Sequence, residues 1–346
     1  KLSSQCLRML SVASFALYGG FFIRKAGVLV VAMAMTRYVG LAGFGTYCVA
    51  LVMMEFAARL AVFGSDVLVV RAISTRESGA DALLANVLGW RILSSATVYI
   101  GIVLVLVFLS PASTLKGLVV IMGLGMVFQV VADAYISLAQ GHERVDLGGY
   151  VQMVCHGAGI ALMLLAVFSG YGVVGVAVAY TLRAFLCLGC GIVLSRYLNH
   201  PVRPTLDVKI IAGALRKGAP IAGNRLVSVL YLGAGLILLD RFCGAEAAGR
   251  FAGPMKIFEA CAALGMMTAV AAFPTVSRLR AESKQELRAV VVALLGVIAW
   301  VGLPLCIAVA LNADVLLVLL FGREFSGQGL LLVVLMSAVP FSFMYV

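Results

Sequence analysis

Charge is what this sequence has least of. Of its 346 residues only 12% are charged, whereas 63% are hydrophobic. A soluble domain carries about 25% charged residues, so too few are present to clothe a water-facing surface. A set of repeated cysteine pairs is missing as well. There are eight cysteines, a single CxxC is found at Cys187 and Cys190, and most lie within apolar runs, as Cys48, Cys155, Cys187, Cys190, Cys261 and Cys306 do. That argues against a metal ribbon or a disulfide framework and leaves the cysteines as small hydrophobes. Catalytic signatures are absent too: no phosphate-cradling GxxxxGK[ST], no HExxH and no GxSxG. No loop is long enough to house a soluble domain, and the sequence reads as non-enzymatic and without cofactor or metal.

A secretory signal pattern is also lacking, because the first apolar run contains Arg24 and Lys25, unlike a signal h-region. The chain opens on Lys1 rather than Met, and its natural start is expected upstream.

What is present in quantity is apolar sequence in long runs. Residues 92–109 and 289–311 hold no charge, a length that matches the roughly 20 residues of a membrane-crossing helix. Ten spans are expected, near 11–35, 46–66, 87–109, 118–139, 147–168, 173–195, 218–239, 251–272, 289–311 and 327–346. The fold class is therefore an all-α integral membrane bundle. Its 37 glycines suit helices that pack closely in lipid.

The net charge of +11 is read through the positive-inside bias of membrane proteins rather than as nucleic-acid binding. With the N-terminus in the cytoplasm, fifteen of the 26 basic residues fall in inside segments and five in outside segments. Arg71, Arg76, Arg91, Arg144, Arg196 and Arg216 are among the inside set. Arg37, Lys116, Arg241, Arg250 and Arg323 make up the outside set.

An internal repeat organises the chain. RYVGLAGFGTY at 37–47 and RFCGAEAAGRF at 241–251 share Arg-aromatic-x-Gly-x4-Gly-x-aromatic at an offset of 204, which also places Glu55 on Glu259. Six spans separate the copies, so the repeats run parallel about an axis along the membrane normal. Two lobes follow, at 1–210 and 211–346. The second shows four of its six helices, so at least two more are expected after Val346. Gly40, Gly45, Gly244 and Gly249 of the motif are read as turn formers.

TRYVGLAGFGTY, LLDRFCGAEAAGRFAGPMKIFEA, AAFPTVSRL and VLLFGREF resemble the polysaccharide-biosynthesis flippases of the multidrug/oligosaccharidyl-lipid/polysaccharide exporter superfamily, whose fold is MATE-like. The resemblance covers nearly the whole chain. It implies a protein of the bacterial inner membrane that moves undecaprenyl-diphosphate-linked oligosaccharide across the bilayer for surface polysaccharide synthesis. With no ATPase in view, energy is expected from an ion gradient, the membrane potential or the substrate gradient, and a coupling cation is an expected partner. Two other functions remain open. One is a cation-coupled multidrug exporter of the same superfamily. The other is a membrane glycosyltransferase or polymerase, which the want of a large extramembrane loop disfavours.

Ionisable groups within spans cost about 2.5–3.5 kcal/mol each and belong on a cavity or a partner. The basic set is Arg24, Lys25, Arg59, Arg183, Arg225 and Lys256, and the acidic set is Glu55, Asp66, Asp133 and Glu259. By the repeat, Arg225 falls on position 21, one helical face with Arg24 and Lys25. Arg24, Lys25, Arg225 and Lys256 are the candidate substrate contacts, since dispersed cations satisfy a diphosphate's oxygens. Glu55, Glu259 and Asp133 are the candidate ion-coupling sites. For Glu55–Arg59 and Lys256–Glu259 an intrahelical salt bridge is an equal reading. A structural hydrogen bond is the alternative for Asp133. Asp66 is expected to be solvated at the cytoplasmic interface, Arg183 has no assigned role, and His156 is expected in the core.

Overall fold

A computed structural model describes residues 23, 25–109, 113–200, 202–282, 292, 296, 300 and 302–345. Among them there are helices, turns and irregular connections such as 202–207, and no strand. Helix α1 covers 25–38. It is followed by α2 (Leu41–Val62), α3 (Ser65–Ser74), α4 (Ala80–Leu109), α5 (Ser113–Gly141), α6 (Val145–Phe168) and α7 (Gly172–Tyr197). Then come α8 (Val208–Cys243), α9 (Ala245–Glu282), α10 (Leu303–Leu311), α11 (Ala313–Phe321) and α12 (Gly329–Tyr345). Six of these are long and apolar enough to cross a membrane: α2 and α4 to α8. Helices α10 and α11 pass that test only as a pair, bent by 75° at Asn312.

The structure departs from the sequence expectation at two breaks. The span expected over 46–66 ends at Val62, where Phe63 and Gly64 both take left-handed backbone (φ 46 and 72) and α3 restarts at Ser65. The stretch after 311, expected as a connection, is helical over Ala313–Phe321. A nine-residue helix is too short to announce itself as a span. Much of the first half of the expected 289–311 span and the start of the first span lie outside the described residues.

Helix α2 is the hub, packed against α4, α5, α8 and α9. Its approach to the later helices depends on missing side chains. A Cβ on Gly45 would collide with the Ala245 carbonyl, and a Cβ on Gly249 with the Leu41 carbonyl. At the opposite end of α2, a Cβ on Gly64 would stand 2.7 Å from the Gly218 carbonyl oxygen. One on Gly218 would stand 2.6 Å from that of Phe63. Two of the four motif glycines are thus not turn formers. Gly40 (φ 88, ψ 170) and Gly244 (φ 85, ψ 171) do turn the chain, in one conformation that favours glycine. Gly45 and Gly249 sit inside helices, where small residues let backbones touch.

The motif arginine Arg37 reaches from the end of α1 to the Leu319 carbonyl of α11. The apolar residues left outside, such as Val227, Tyr231 and Leu238 on α8, would burden a soluble protein and suit a lipid-facing surface.

Candidate functional site

Nine helices, α1 to α9, enclose a cavity of about 900 Å³. Within an apolar bundle its lining is unusually charged. Among the described residues it carries six cations (Lys25, Arg59, Arg91, Arg183, Arg225, Lys256) and four carboxylates (Glu55, Asp66, Asp133, Glu259). The intramembrane ionisable groups thus converge on one space, as the cost of placing them in lipid requires. Lys25, Arg225 and Lys256 of the candidate contacts are all on its wall, and so are Glu55, Glu259 and Asp133. Arg24 lies outside the described residues.

Three of the acids are ion-paired. Glu55 Oε1 stands 3.6 Å from Arg59 Nη2, and Glu259 Oε1 3.1 Å from Lys256 Nζ, both within single helices. Asp66 Oδ2 accepts from Arg225 Nη1 at 2.6 Å, across the gap between α3 and α8. The solvated Asp66 of the sequence reading is therefore a half-buried partner of a candidate substrate contact. A partner 159 residues away is invisible to local spacing. Asp133 Oδ1 accepts from Gln129 Nε2 at 2.8 Å, and Arg91, Arg183 and Arg59 are the cations that act on it.

Two residues carry more weight than their sequence positions suggest. Position alone puts Arg91 with the cytoplasmic loops, yet it is wholly buried on the cavity wall of α4. Its Nε donates to Ser65 Oγ at 3.2 Å and its Nη1 to the Val130 carbonyl at 3.3 Å. A basic residue near the end of a span resembles a loop anchor. Only the packing of α4 against α3 and α5 turns it inward. Arg183 is 8% exposed, with its guanidinium 5.1 Å from the Tyr180 ring centre and its Nη1 3.5 Å from His156 Nδ1. Gly159 makes room for its stem, since a Cβ there would strike it. His156 is a wall residue rather than core. The arginine presents a donor to its ring, so Nδ1 acts as an acceptor.

Such a cavity can hold a polar, predominantly anionic group, with tyrosine, glutamine and serine available for neutral hydrogen bonds: Tyr180, Gln129, Gln140, Gln152, Ser137 and Ser228 line it. No group of three or more His, Cys, Asp or Glu residues that suits a metal is found among the described residues.

The arrangement of helices is that of solved MATE transporters. The MATE multidrug transporter DinF-BH, solved as a ligand complex, superposes with a TM-score of 0.67 at 20% identity, over 97% of this chain and 78% of that one. An outward-facing multidrug resistance MATE family transporter of the MOP superfamily gives 0.64 at 17% identity, over 96% and 82%. A MOP superfamily transporter from Pyrococcus furiosus, described by the reverse polarity of its binding pocket, gives 0.64 at 16% identity, over 96% and 82%. At these identities the likeness is one of fold. The family model for polysaccharide biosynthesis protein matches residues 13–280, and the chain belongs to that family. No curated protein matches.

Proposed function

We propose that this protein is a flippase that carries undecaprenyl-diphosphate-linked oligosaccharide across the bacterial inner membrane for surface polysaccharide synthesis. The observation that carries the reading is the cavity's charge: six cations against four carboxylates among the described residues, with three of those carboxylates already paired. The surplus suits a diphosphate, whose oxygens take several dispersed donors. Membership in the polysaccharide biosynthesis family agrees with a sugar-linked cargo. The Pyrococcus furiosus transporter offers a parallel, since reversed pocket polarity is what its description ties to a different function.

In this reading Lys25, Arg225 and Lys256 contact the diphosphate, together with Arg24. Glu55, Glu259 and Asp133 serve a coupling cation. Of the three, Asp133 is hydrogen-bonded to a neutral partner and is the one best placed to change its proton or cation occupancy. Two lobes, 1–210 and 211–346, related by a parallel repeat within a bundle of ten spans, rock about α2 to expose the cavity to each side in turn. The reciprocal Gly45–Ala245 and Gly249–Leu41 contacts support that relation, because each residue and its partner exchange places under the offset of 204. The N-terminus lies in the cytoplasm.

The test is flipping of a labelled polyprenyl-diphosphate sugar in proteoliposomes, with Lys25→Gln, Arg225→Gln and Lys256→Gln as single variants. Each should fold and flip about ten- to a hundredfold more slowly, from the loss of one charge-assisted bond of roughly 1.5–3 kcal/mol. Folded variants that all flip at the wild-type rate defeat the cationic-cavity reading. Efflux of a cationic dye by the same vesicles would put the multidrug exporter in its place.

A further inference from the structure

We propose that Asp66 is an exchangeable latch, joined to Arg225 of α8 while α3 and α8 are together and taken over by Arg91 of its own lobe when they part. The inference rests on the reading of two lobes that move against one another.

The arrangement starts from a shared contact. Gly64 and Gly218 hold α8 against the α2–α3 turn with no room for a Cβ on either side. Two residues beyond Gly64, Asp66 Oδ2 takes the Arg225 hydrogen bond at 2.6 Å. The other carboxylate oxygen, Oδ1, is buried and has no hydrogen-bond partner.

Arg91 comes to the same place from the other side. Its Nε bond to Ser65 fixes the guanidinium beside the residue that precedes Asp66. Its Nη1 is held by the Val130 carbonyl, while Nη2 is buried and has no hydrogen-bond partner. A guanidinium offers five donors in a rigid fork. Two of Arg91's donors are thus anchored, and the buried Nη2 group is left over. An open acceptor and an open donor of opposite charge therefore sit on neighbouring residues, and each acts electrostatically on the other.

The chemistry follows from what separation does. If α8 withdraws, Arg225 leaves with it, and Asp66 would become an uncompensated buried charge. That is the costliest outcome for a buried pair that loses one member. Arg91 removes the penalty without giving up either existing bond, because the donor it needs is already free of them. Arg225 is released to the cavity at the same moment, as a cation no longer occupied by a carboxylate. The exchange makes the interface a two-state element rather than a permanent clamp. Asp133, with Gln129, Arg183 and Arg59 around it, is the other carboxylate acting on Arg91, and it keeps that charge compensated in either state.

The experiment measures the latch without substrate. Spin labels at Ser74→Cys and Lys217→Cys, both exposed, report the α3–α8 separation in nanodiscs on an otherwise cysteine-depleted full chain. Arg225→Gln should raise the separated population about tenfold or more and leave the protein folded. Arg91→Gln should lower it by a similar factor, since Asp66 then has nowhere to go. Arg91→Lys, run in parallel against a folding failure, has a single nitrogen to share among three acceptors and should shift the population the same way by less. In an Asp66→Asn background both effects should vanish. An Arg91 effect of equal size with and without the Asp66→Asn change, no Arg91 effect at all, or one unchanging distance in every variant overturns the proposal. An intact exchange with no lipid-linked sugar flipped would instead count against the substrate reading alone.

Discussion

Gly45 and Gly249 sit 204 positions apart in the chain and face each other's neighbourhoods in space, Gly45 against Ala245 and Gly249 against Leu41. Each glycine lies in the first turns of its helix, and each is closed over by a backbone carbonyl. The two helices α2 and α9 cannot come this close with any side chain at either point. We predict that Gly45→Val or Gly249→Val forces them apart and costs about 1–3 kcal/mol of stability by overpacking. Gly43→Ala in the same helix serves as the comparison, because its nearest obstacle is the movable Val39 side chain. Thermal unfolding in detergent measures the difference. Equal losses in all three variants would rule out a special role for the reciprocal contact.

Arg183 is predicted to be irreplaceable by lysine. Lysine cannot lie flat on Tyr180 and reach His156 together. Arg183→Lys should stay folded and flip lipid-linked sugar about tenfold more slowly, by the loss of one charge-assisted bond. Tyr180→Phe, which keeps the ring, should be close to wild type. The proteoliposome flipping assay decides, and full activity in Arg183→Lys would count against the assignment.

Acid sensitivity is predicted at the end of α5. The His142 and His200 rings lie 4.6 Å apart, and His200 Nδ1 is 3.7 Å from Asp81 Oδ1. Burial first, and the His200 ring second, hold the His142 imidazole below the ordinary histidine value, while Asp81 opposes them. A folded-state value below the unfolded one means the unfolded chain binds the proton more readily. Stability is then present above the ordinary histidine value, about 6.5, and is lost as pH falls through it. His142→Gln should flatten the unfolding temperature between about pH 7 and pH 5. A slope identical to wild type would show that His142 is not the sensor.

Topology gives the last prediction. Cys243 is exposed at the end of α8, and Glu77 is exposed beyond α3. With the N-terminus inside, a variant keeping only Cys243 should react with a membrane-impermeant maleimide added to intact cells. A Glu77→Cys variant lacking the others should react only after the cells are opened. The reverse pattern inverts the orientation.

How far the site was legible depended on the reach of each signal. Glu55–Arg59 and Lys256–Glu259 were readable as intrahelical pairs, because residues three or four apart share a helical face. The cation pattern pointed to Lys25, Arg225 and Lys256 because charge in a span demands a cavity. The Asp66–Arg225 pair joins residues 159 positions apart and left no local trace. Arg91 misled, since a basic residue four positions into a span looks like a loop anchor until packing turns it inward.

The sequence by itself determined that this is a membrane protein, that it is helical, and that its charges must gather. Apolar runs of about 20 residues, together with the cost of unpaired backbone in lipid, call for helices rather than strands. It also marked Gly40, Gly45, Gly244 and Gly249, though not what Gly45 and Gly249 were for, and it left Gly64, Gly218 and Gly159 unmarked. Which cations face one another, which carboxylate crosses between helices and which arginine keeps a donor in reserve were decided only by tertiary structure. Ion pairing acts over a few ångströms, and the helices that set those distances meet from opposite ends of the chain.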